Sequence, residues 1–392
     1  MSAEQIEGRG ASGDGFCPSP DEGELWDRLR EARAHAEGDP GEGLPLVASL
    51  CHELAWDLLE EGLLSDAEAL VREELAAVRF LVANDPEAFL PRVADACENL
   101  AGILWEGGDP AEAEPLYREA LSLRRSLAGR EPVGDLLSEA AHTCVGLARL
   151  LEEREPGEAE ELYREALSLR RSLAGQDPAE GPLSEVASSC VDLALFLEDL
   201  GRLEEAEPLL REALGTYRSL RGGHALSWAA MVARTGFVLA RVLDCAGRPE
   251  EAEPLLREAL SLRRALAGQD PTEDLLSEVA SSCVNLALFL EDLGRLKEAE
   301  PLLREALECY RTLAASDPDE DGLPALIPEA GPPMSVLATI LAEEGRAKEA
   351  EELFREGLSM YAILAQTHPE REDFRLGEEA FRESLAQLSA GV

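Results

Sequence analysis

The pair His52-Glu53 is the nearest approach in this chain to a catalytic motif. A His-Glu pair opens the His-Glu-x-x-His helix of zinc proteases, in which two histidines bind the metal and the glutamate acts as the base. Here Trp56 replaces the second histidine. The other histidines stand in distant segments, so a metal site would need several parts of the chain to converge: His35, His142, His224 and His368. We therefore expect no metal site.

Other catalytic signatures are missing from the sequence. It contains no Gly-x-x-x-x-Gly-Lys phosphate loop, no Gly-x-Ser-x-Gly nucleophile turn and no Gly-x-Gly-x-x-Gly loop that follows a predicted strand. Adjacent acids such as Glu198-Asp199 lie on exposed helix, where a solvated face is a better interpretation than a general acid and base pair. We expect neither a cofactor nor an enzymatic activity.

The charge of the chain limits its partners. Asp and Glu number 80 against 36 Lys and Arg, which gives a formal net charge of −44. Binding to nucleic acid or to an anionic membrane needs basic side chains, so neither is expected. Three interpretations of the acidity remain: attraction to a basic protein partner, solubility alone, or adaptation to salt.

Five cysteines occupy one equivalent position on the apolar stripe of five helices, where a free thiol behaves as a small hydrophobic side chain: Cys51, Cys97, Cys144, Cys190 and Cys283. The first 24 residues are polar, Gly-rich and acidic, and they lack the apolar core of a secretory leader. No apolar run approaches membrane-spanning length. We therefore expect a cytoplasmic protein with reduced thiols.

An Ala-Glu pair recurs seven times along the chain, at spacings of 46, 46, 47, 46, 47 and 51 residues. A constant period of this size indicates a stacked array of repeats, in which each unit contacts mainly its neighbours. The pairs begin at Ala67, Ala113, Ala159, Ala206, Ala252, Ala299 and Ala350.

Each repeat predicts a helical hairpin. Within Ser184–Leu200 the apolar residues follow the spacing of an amphipathic helix, Gly201 interrupts the pattern, and helical spacing resumes over Glu204–Ala213. A glycine recurs at this turn, and the position after a helix end favours glycine with positive φ: Gly62, Gly108, Gly201, Gly247, Gly294 and Gly345.

These residues resemble a tetratricopeptide repeat (TPR) array of the long-unit, kinesin-light-chain-like type. The positions that match in one unit are Leu193-Ala194, Leu197, Gly201, Ala206, Leu210 and Ala213. The resemblance implies an all-α, right-handed solenoid of about seven helix-turn-helix units with helical caps. The usual TPR unit has 34 residues. We expect the surplus to give longer helices and a protruding connector in stretches such as Gly175–Pro182.

The domain organisation expected from these signals has four parts. Residues 1–22 form a disordered tail, and residues 23–46 form a capping helix with its connector. Residues 47–366 form the solenoid, with a flexible, proline-rich insertion at 317–333. Residues 367–392 form a C-terminal capping helix. Two units look weak, since Glu74 and Gly357 stand where Ala213 stands in its own unit.

The resemblance also implies that the first helices line a concave groove in which partners bind. The groove positions beside the Leu-Ala pair and one turn later give the candidate contacts Trp56, Asn99, Trp105, Arg149, Asp192, Glu198, Arg241, Asn285 and Glu291. Tryptophan and arginine are common interface anchors, and the acids would suit a basic partner. The alternatives are that the tryptophans pack on neighbouring helices and that the asparagines only face solvent.

One repeat differs from its neighbours. The first helices Leu183–Arg202 and Leu276–Arg295 are nearly identical, whereas Ala225–Gly247 between them has a different sequence, with Trp228 and Arg234. Drift and recruitment for partner contact both explain this divergence, and we add Trp228 and Arg234 to the candidate contacts.

The sequence therefore predicts a non-enzymatic interaction protein, an adaptor or regulatory scaffold that holds a partner peptide or helix in an acidic groove. The alternative is an inhibitor that sequesters a basic partner, or a subunit of a protease or signalling complex. Strong salt dependence of binding would favour the inhibitor. The sequence leaves the oligomeric state open.

Overall fold

A computed structural model describes residues 20–130, 134–220, 225–269, 271–316 and 328–390. The chain divides into two compact units, residues 1–196 (unit 1) and 197–392 (unit 2). Unit 1 contains α1 (Pro20–Gly38), α2 (Pro40–Glu60), α3 (Leu64–Leu81), α4 (Pro86–Glu106), α5 (Pro110–Arg130), α6 (Gly134–Leu151), α7 (Pro156–Gln176) and most of α8 (Glu180–Asp199).

Unit 2 contains the remaining helices. They are α9 (Leu203–Ser219), α10 (Ala225–Cys245), α11 (Pro249–Ala267), α12 (Glu273–Asp292), α13 (Leu296–Ser316), α14 (Gly331–Glu343), α15 (Ala347–Thr367) and α16 (Glu372–Ala390), and a short 3-10 helix, Pro328–Ala330, precedes α14. No strand occurs among the described residues. The all-helical fold predicted from the repeat period is confirmed.

Successive helices pack as hairpins. In unit 1, α2 packs on α3, α4 on α5 and α6 on α7, and in unit 2 the same holds for α10 with α11, α12 with α13 and α14 with α15. The alanine of each Ala-Glu pair is fully buried, as at Ala67 and Ala113. A small side chain at this position lets the two helices of a hairpin approach closely, which explains why it recurs in every repeat.

The turn glycines adopt the left-handed conformation that the sequence predicts. All six have φ between 70 and 83 degrees. At the turn of Gly201, its N–H donates to the Glu198 carbonyl at 2.7 Å, and the Arg202 N–H donates to the Leu197 carbonyl at 2.8 Å. These bonds satisfy the last carbonyls of the first helix, and a residue with a Cβ would be strained there.

The long repeat is made of long helices. Only three residues separate α7, which ends at Gln176, from α8, which begins at Glu180. The protruding connector expected at Gly175–Pro182 is therefore wrong. Pro182 lies in the first turn of α8, where the missing N–H has no helical partner to lose, so the helix extends back through it.

Both ends carry helices that pack on the array. At the start, α1 packs on α2 and buries Leu29, and Arg33 forms a two-pronged ion pair with Glu73 of α3, at 2.9 and 2.6 Å. At the other end, α16 packs on α15 and buries Phe374 and Phe381.

Several predicted boundaries shift. The limit between residues 46 and 47 falls inside α2, because the Asp39 side chain accepts the Gly41 N–H at 3.0 Å and caps a helix that begins at Pro40. Of the predicted disordered tail, residues 1–19 lie outside the described residues, and α1 begins at Pro20. Of the insertion, residues 317–327 lie outside them, and the rest is helical, with prolines in the first turn of α14.

The two units that look weak have local explanations. Glu74 is buried and pairs with His52 at 3.3 Å. Gly357 faces the Phe381 ring of the capping helix, and a Cβ at this glycine would lie 2.3 Å from the ring carbon Cε1. The glycine is therefore required by the cap that packs on it.

The five equivalent cysteines are fully buried. Burial in apolar surroundings raises the pKa of Cys97, Cys144 and Cys283 to about 12, so these thiols stay protonated and inert at neutral pH. In contrast, Cys245 at the end of α10 is exposed.

Most arginines of the second helices are used in ion pairs between repeats. Their guanidinium groups reach glutamates of the next second helix, 40, 41 or 45 residues later: Arg72–Glu112, Arg79–Glu119, Arg118–Glu158, Arg125–Glu165, Arg211–Glu251, Arg218–Glu258, Arg257–Glu298, Arg264–Glu305, Arg304–Glu349 and Arg311–Glu356. We call these pairs the inter-repeat ladder. Each exposed pair contributes about 0–1 kcal/mol, but the series neutralises much of the local basic charge.

Among the residues that the structure describes, one helix has the length and hydropathy of a membrane span. The segment Leu226–Cys245 of α10 is long and apolar enough to cross a membrane by composition, which corrects the prediction that no run approaches this length. Half of the segment is buried, because α10 is the first helix of a hairpin and packs on α11. Core helices pass the same test, so the observation is weak evidence for a membrane.

Candidate protein-interaction surface

The first helices of unit 1 lie side by side. Arg92 of α4 donates to the Ser49 hydroxyl of α2 at 3.4 Å, and His142 of α6 pairs with Glu98 of α4 at 3.0 Å. We call the solvent-facing side of α2, α4 and α6 the first-helix surface. The second helices carry the inter-repeat ladder instead, so the two rows of helices present different chemistry.

Two tryptophans of this surface are exposed. Trp56 of α2 has 51% of its area accessible, and Trp105 of α4 has 38%. Trp56 makes one polar contact, in which its Nε1–H donates to Nε2 of His52 at 3.2 Å. Neither ring is fully covered by neighbouring helices, so both present apolar area to solvent.

A buried ionic cluster lies beneath the surface, and the sequence reasoning missed it. Arg124 of α5 is almost fully buried and contacts Asp95 at 2.7 Å, Glu98, and the Thr143 hydroxyl. It also donates to the Glu139 carbonyl at 3.0 Å. Arg124 follows the buried residues Tyr117 and Ala120 at helical spacing, so the apolar pattern of α5 points it inward.

The cluster shifts the pKa values of its members. Burial alone would raise the pKa of Glu98, but hydrogen bonds from His142 and Arg124 lower it overall. The bond to Glu98 raises the pKa of His142, and in the same way the bond to Glu74 raises the pKa of His52. Both histidines therefore bind a proton more readily than a free imidazole.

Four of the predicted contact residues form two ion pairs within the chain. In unit 1, Arg149 of α6 donates to Asp192 of α8 at 2.9 Å. In unit 2, Arg241 of α10 forms a two-pronged pair with Glu198 at 2.6 and 2.7 Å. These two ion pairs connect neighbouring first helices, so each of the four side chains already has a partner within the chain.

The remaining candidates are placed as follows. Asn99 in unit 1 and Asn285 and Glu291 in unit 2 are half-buried, and burial raises the pKa of Glu291. Trp228 is half-buried, with its ring stacked on Tyr217 at 6.3 Å between centroids. Arg234 is exposed. Among the residues that the structure describes, no group of three or more His, Cys, Asp or Glu side chains is able to hold a metal ion.

Family comparison agrees with this architecture. Two tetratricopeptide repeat models match the chain, one at residues 185–265 and the other at 93–133, 141–180, 279–319 and 334–370. Together they cover more than half of the sequence. The chain belongs to the tetratricopeptide repeat family. A search of proteins with curated function gives no match.

Solved structures share the fold. BtubC (BKLC) from P. vanneervenii is 23% identical, with a TM-score of 0.52 over 67% of this chain and 97% of that one. The STAND signal-transduction ATPase with a tetratricopeptide repeat sensor from Pyrococcus horikoshii is 14% identical, with a TM-score of 0.57 over 91% of this chain and 48% of that one.

The family defines the class of function. Tetratricopeptide repeats are scaffolds for protein–protein interaction, and members of the family are typically not enzymes themselves. The ATPase among the structural relatives carries such repeats as its sensor.

Proposed function

We propose that this protein is a non-enzymatic scaffold whose first-helix surface in unit 1 binds a peptide or helix of a partner protein. The observation that carries the proposal is the exposure of Trp56 and Trp105, at 51% and 38%. Exposed tryptophans add little to the stability of a single chain, and they are enriched among the residues that dominate binding energy at interfaces.

The charge of the surface supports a partner with basic side chains. Exposed Glu53 lies on the same first helix as Trp56, exposed Glu106 lies on the same first helix as Trp105, and the chain as a whole carries a net charge of −44. Attraction of this kind mainly speeds encounter and selects the partner, while the aromatic anchors hold it. The buried, protonated thiols are consistent with a cytoplasmic location, which we also propose.

The test is affinity capture of partners by four versions of the protein: the natural chain, Trp56→Ala, Trp105→Ala and Phe80→Ala. Phe80 is the matched control, because it is an equally exposed aromatic (54%) on a second helix, α3. We expect a partner that the natural chain and the Phe80 variant retain and that both tryptophan variants lose.

The salt dependence of partner binding distinguishes an adaptor from a sequestering inhibitor. A partner that stays bound at high salt through the tryptophans supports the adaptor. A basic protein that high salt releases from every version supports the alternative, a sequestering inhibitor. If the tryptophan variants and the Phe80 variant bind the same partners equally well, the first-helix surface of unit 1 is not the binding site.

A further inference from the structure

Trp56 is held by a chain of two hydrogen bonds that passes through His52. The Trp56 Nε1–H donates to Nε2 of His52 at 3.2 Å, and the other ring nitrogen, Nδ1, lies 3.3 Å from an oxygen of the Glu74 carboxylate. The indole also makes an edge contact with the imidazole, with 6.3 Å between the ring centroids and 73 degrees between the ring planes. Since half of Trp56 is accessible to solvent, these contacts with His52 have a large share in fixing the orientation of the indole.

The three residues depart together from the repeat pattern. The position of Glu74 holds a small residue in the other six repeats: Ala120, Ala166, Ala213, Ala259, Ala306 and Gly357. The positions of His52 and Trp56 also hold other residue types in those repeats. The side chain of Glu74 is 4% exposed, and a buried carboxylate is costly unless it is paired. The histidine and the glutamate therefore belong together as one feature of this repeat.

The two bonds require one protonation state of His52. An ionised carboxylate only accepts hydrogen bonds and an indole N–H only donates, so the imidazole must donate through Nδ1 and accept through Nε2. This is the neutral ring with its proton on Nδ1. A second proton would bind to Nε2, and two donors would then face each other across 3.2 Å. Protonation therefore strengthens the bond to Glu74, which becomes charged on both sides, and breaks the bond to Trp56.

The groups around His52 place its titration near neutral pH. The hydrogen bond to Glu74 of α3 has the largest effect and raises the pKa of His52, whereas burial lowers it. The charges of Glu74 and of Asp95 on α4 raise this pKa further, and the charge of Arg92 on α4 lowers it. The pKa lies above the usual histidine value of about 6.5 as a result. The ring is 41% exposed, so its proton exchanges with solvent in the folded chain.

We propose that His52 controls the orientation of Trp56: the neutral imidazole fixes the indole, and the protonated imidazole releases it. This inference concerns the chain alone. Its consequence for a partner rests on the proposed function, because an indole that is already fixed loses less rotational freedom on binding. Release of Trp56 in acid should therefore weaken partner binding about two- to tenfold. The first-helix surface then responds to pH in the range in which a histidine changes charge.

The test is NMR of the indole N–H groups in the full chain, labelled with nitrogen-15 at its four tryptophans. The pH is varied from about 5.5 to about 8.5, on both sides of the titration of histidine. Trp56→Phe identifies the Trp56 signal. We expect this signal to move upfield as the pH falls, because the N–H loses its acceptor, with a midpoint above about 6.5.

Two variants separate His52 from other histidines. His52→Gln removes the titrating ring, so its Trp56 signal should stay constant over the same range. The matched control is His142→Gln, since His142 binds Glu98 through Nδ1 at 3.0 Å just as His52 binds Glu74. This control should leave the titration of Trp56 unchanged.

A third variant tests the role of the carboxylate. Glu74→Gln keeps an acceptor for Nδ1 but removes the charge, so the Trp56 signal should still titrate, with its midpoint lower by about one pH unit. The proposal is overturned if the Trp56 signal does not respond to pH, or if the His52→Gln variant responds like the natural chain. It is also overturned if all four indole signals shift together, or if Glu74→Gln leaves the midpoint unchanged. These measurements use no partner, so failure here and failure of the proposed function are distinguishable.

Discussion

Glu98 is predicted to be the most sensitive single carboxylate of unit 1. Its side chain is 12% exposed and faces Arg124, whose side chain is 5% exposed. The variant Glu98→Gln leaves a buried guanidinium with Asp95 as its remaining close carboxylate, at 2.7 Å. Breaking a buried ion pair from one side costs about 3–5 kcal/mol, and the remaining Asp95 places the expected loss near the lower end, about 3 kcal/mol.

The matched control is Glu139→Gln. Glu139 also faces Arg124, but at 3.9 Å and with 41% of its side chain exposed, so its loss should cost about 0.5 kcal/mol or less. The assay is urea unfolding followed by tryptophan fluorescence in a Trp228→Phe background, in which the three remaining tryptophans all belong to unit 1. Equal costs for the two variants would refute the argument from burial.

The variant Glu98→Gln also changes how the stability of the chain depends on pH. The pKa of His142 is raised in the folded state. The stability that this histidine contributes is therefore fully present below its unfolded pKa of about 6.5, and it is lost as the pH rises through its folded pKa. Because the pKa of Glu98 is lowered in the folded state, this carboxylate contributes stability above its unfolded pKa, and that stability is lost in acid. The natural chain should therefore lose stability from pH 6 to pH 8, and Glu98→Gln should keep only the part due to His52.

Two further predictions concern the turns and the thiols. Gly201→Ala should destabilise unit 2 by about 1–2 kcal/mol, because φ is 72 degrees at this glycine. Gly215→Ala should instead stabilise unit 2 by up to about 1 kcal/mol, because Gly215 lies inside α9 and no atom lies near its added Cβ. Thermal unfolding of the two variants measures the difference, and equal effects would contradict the assignment of the turn. With a thiol reagent at pH 8, exposed Cys245 should react at once and buried Cys97 only on unfolding. Fast reaction of Cys97 in the native protein would show that its helix opens readily.

The site was only partly predictable from the sequence. The positions of Trp56 and Trp105 follow from the repeat register, but their exposure depends on how closely the neighbouring helices approach. Arg149 and Arg241 were predicted as partner anchors, and each instead has a carboxylate on an adjacent first helix. A pairing between residues about 43 positions apart depends on the offset between stacked repeats, which no local pattern contains.

The hairpins follow from local sequence patterns alone. The apolar spacing, the buried alanine and the turn glycine act within one repeat, over a few residues, so their physical consequences can be derived locally. The tertiary structure alone decided the lengths of the helices, the inter-repeat ladder and the surroundings of Arg124. These depend on which side chains meet when repeats stack, because the energy of a buried charge is set by neighbours that lie far away in the chain.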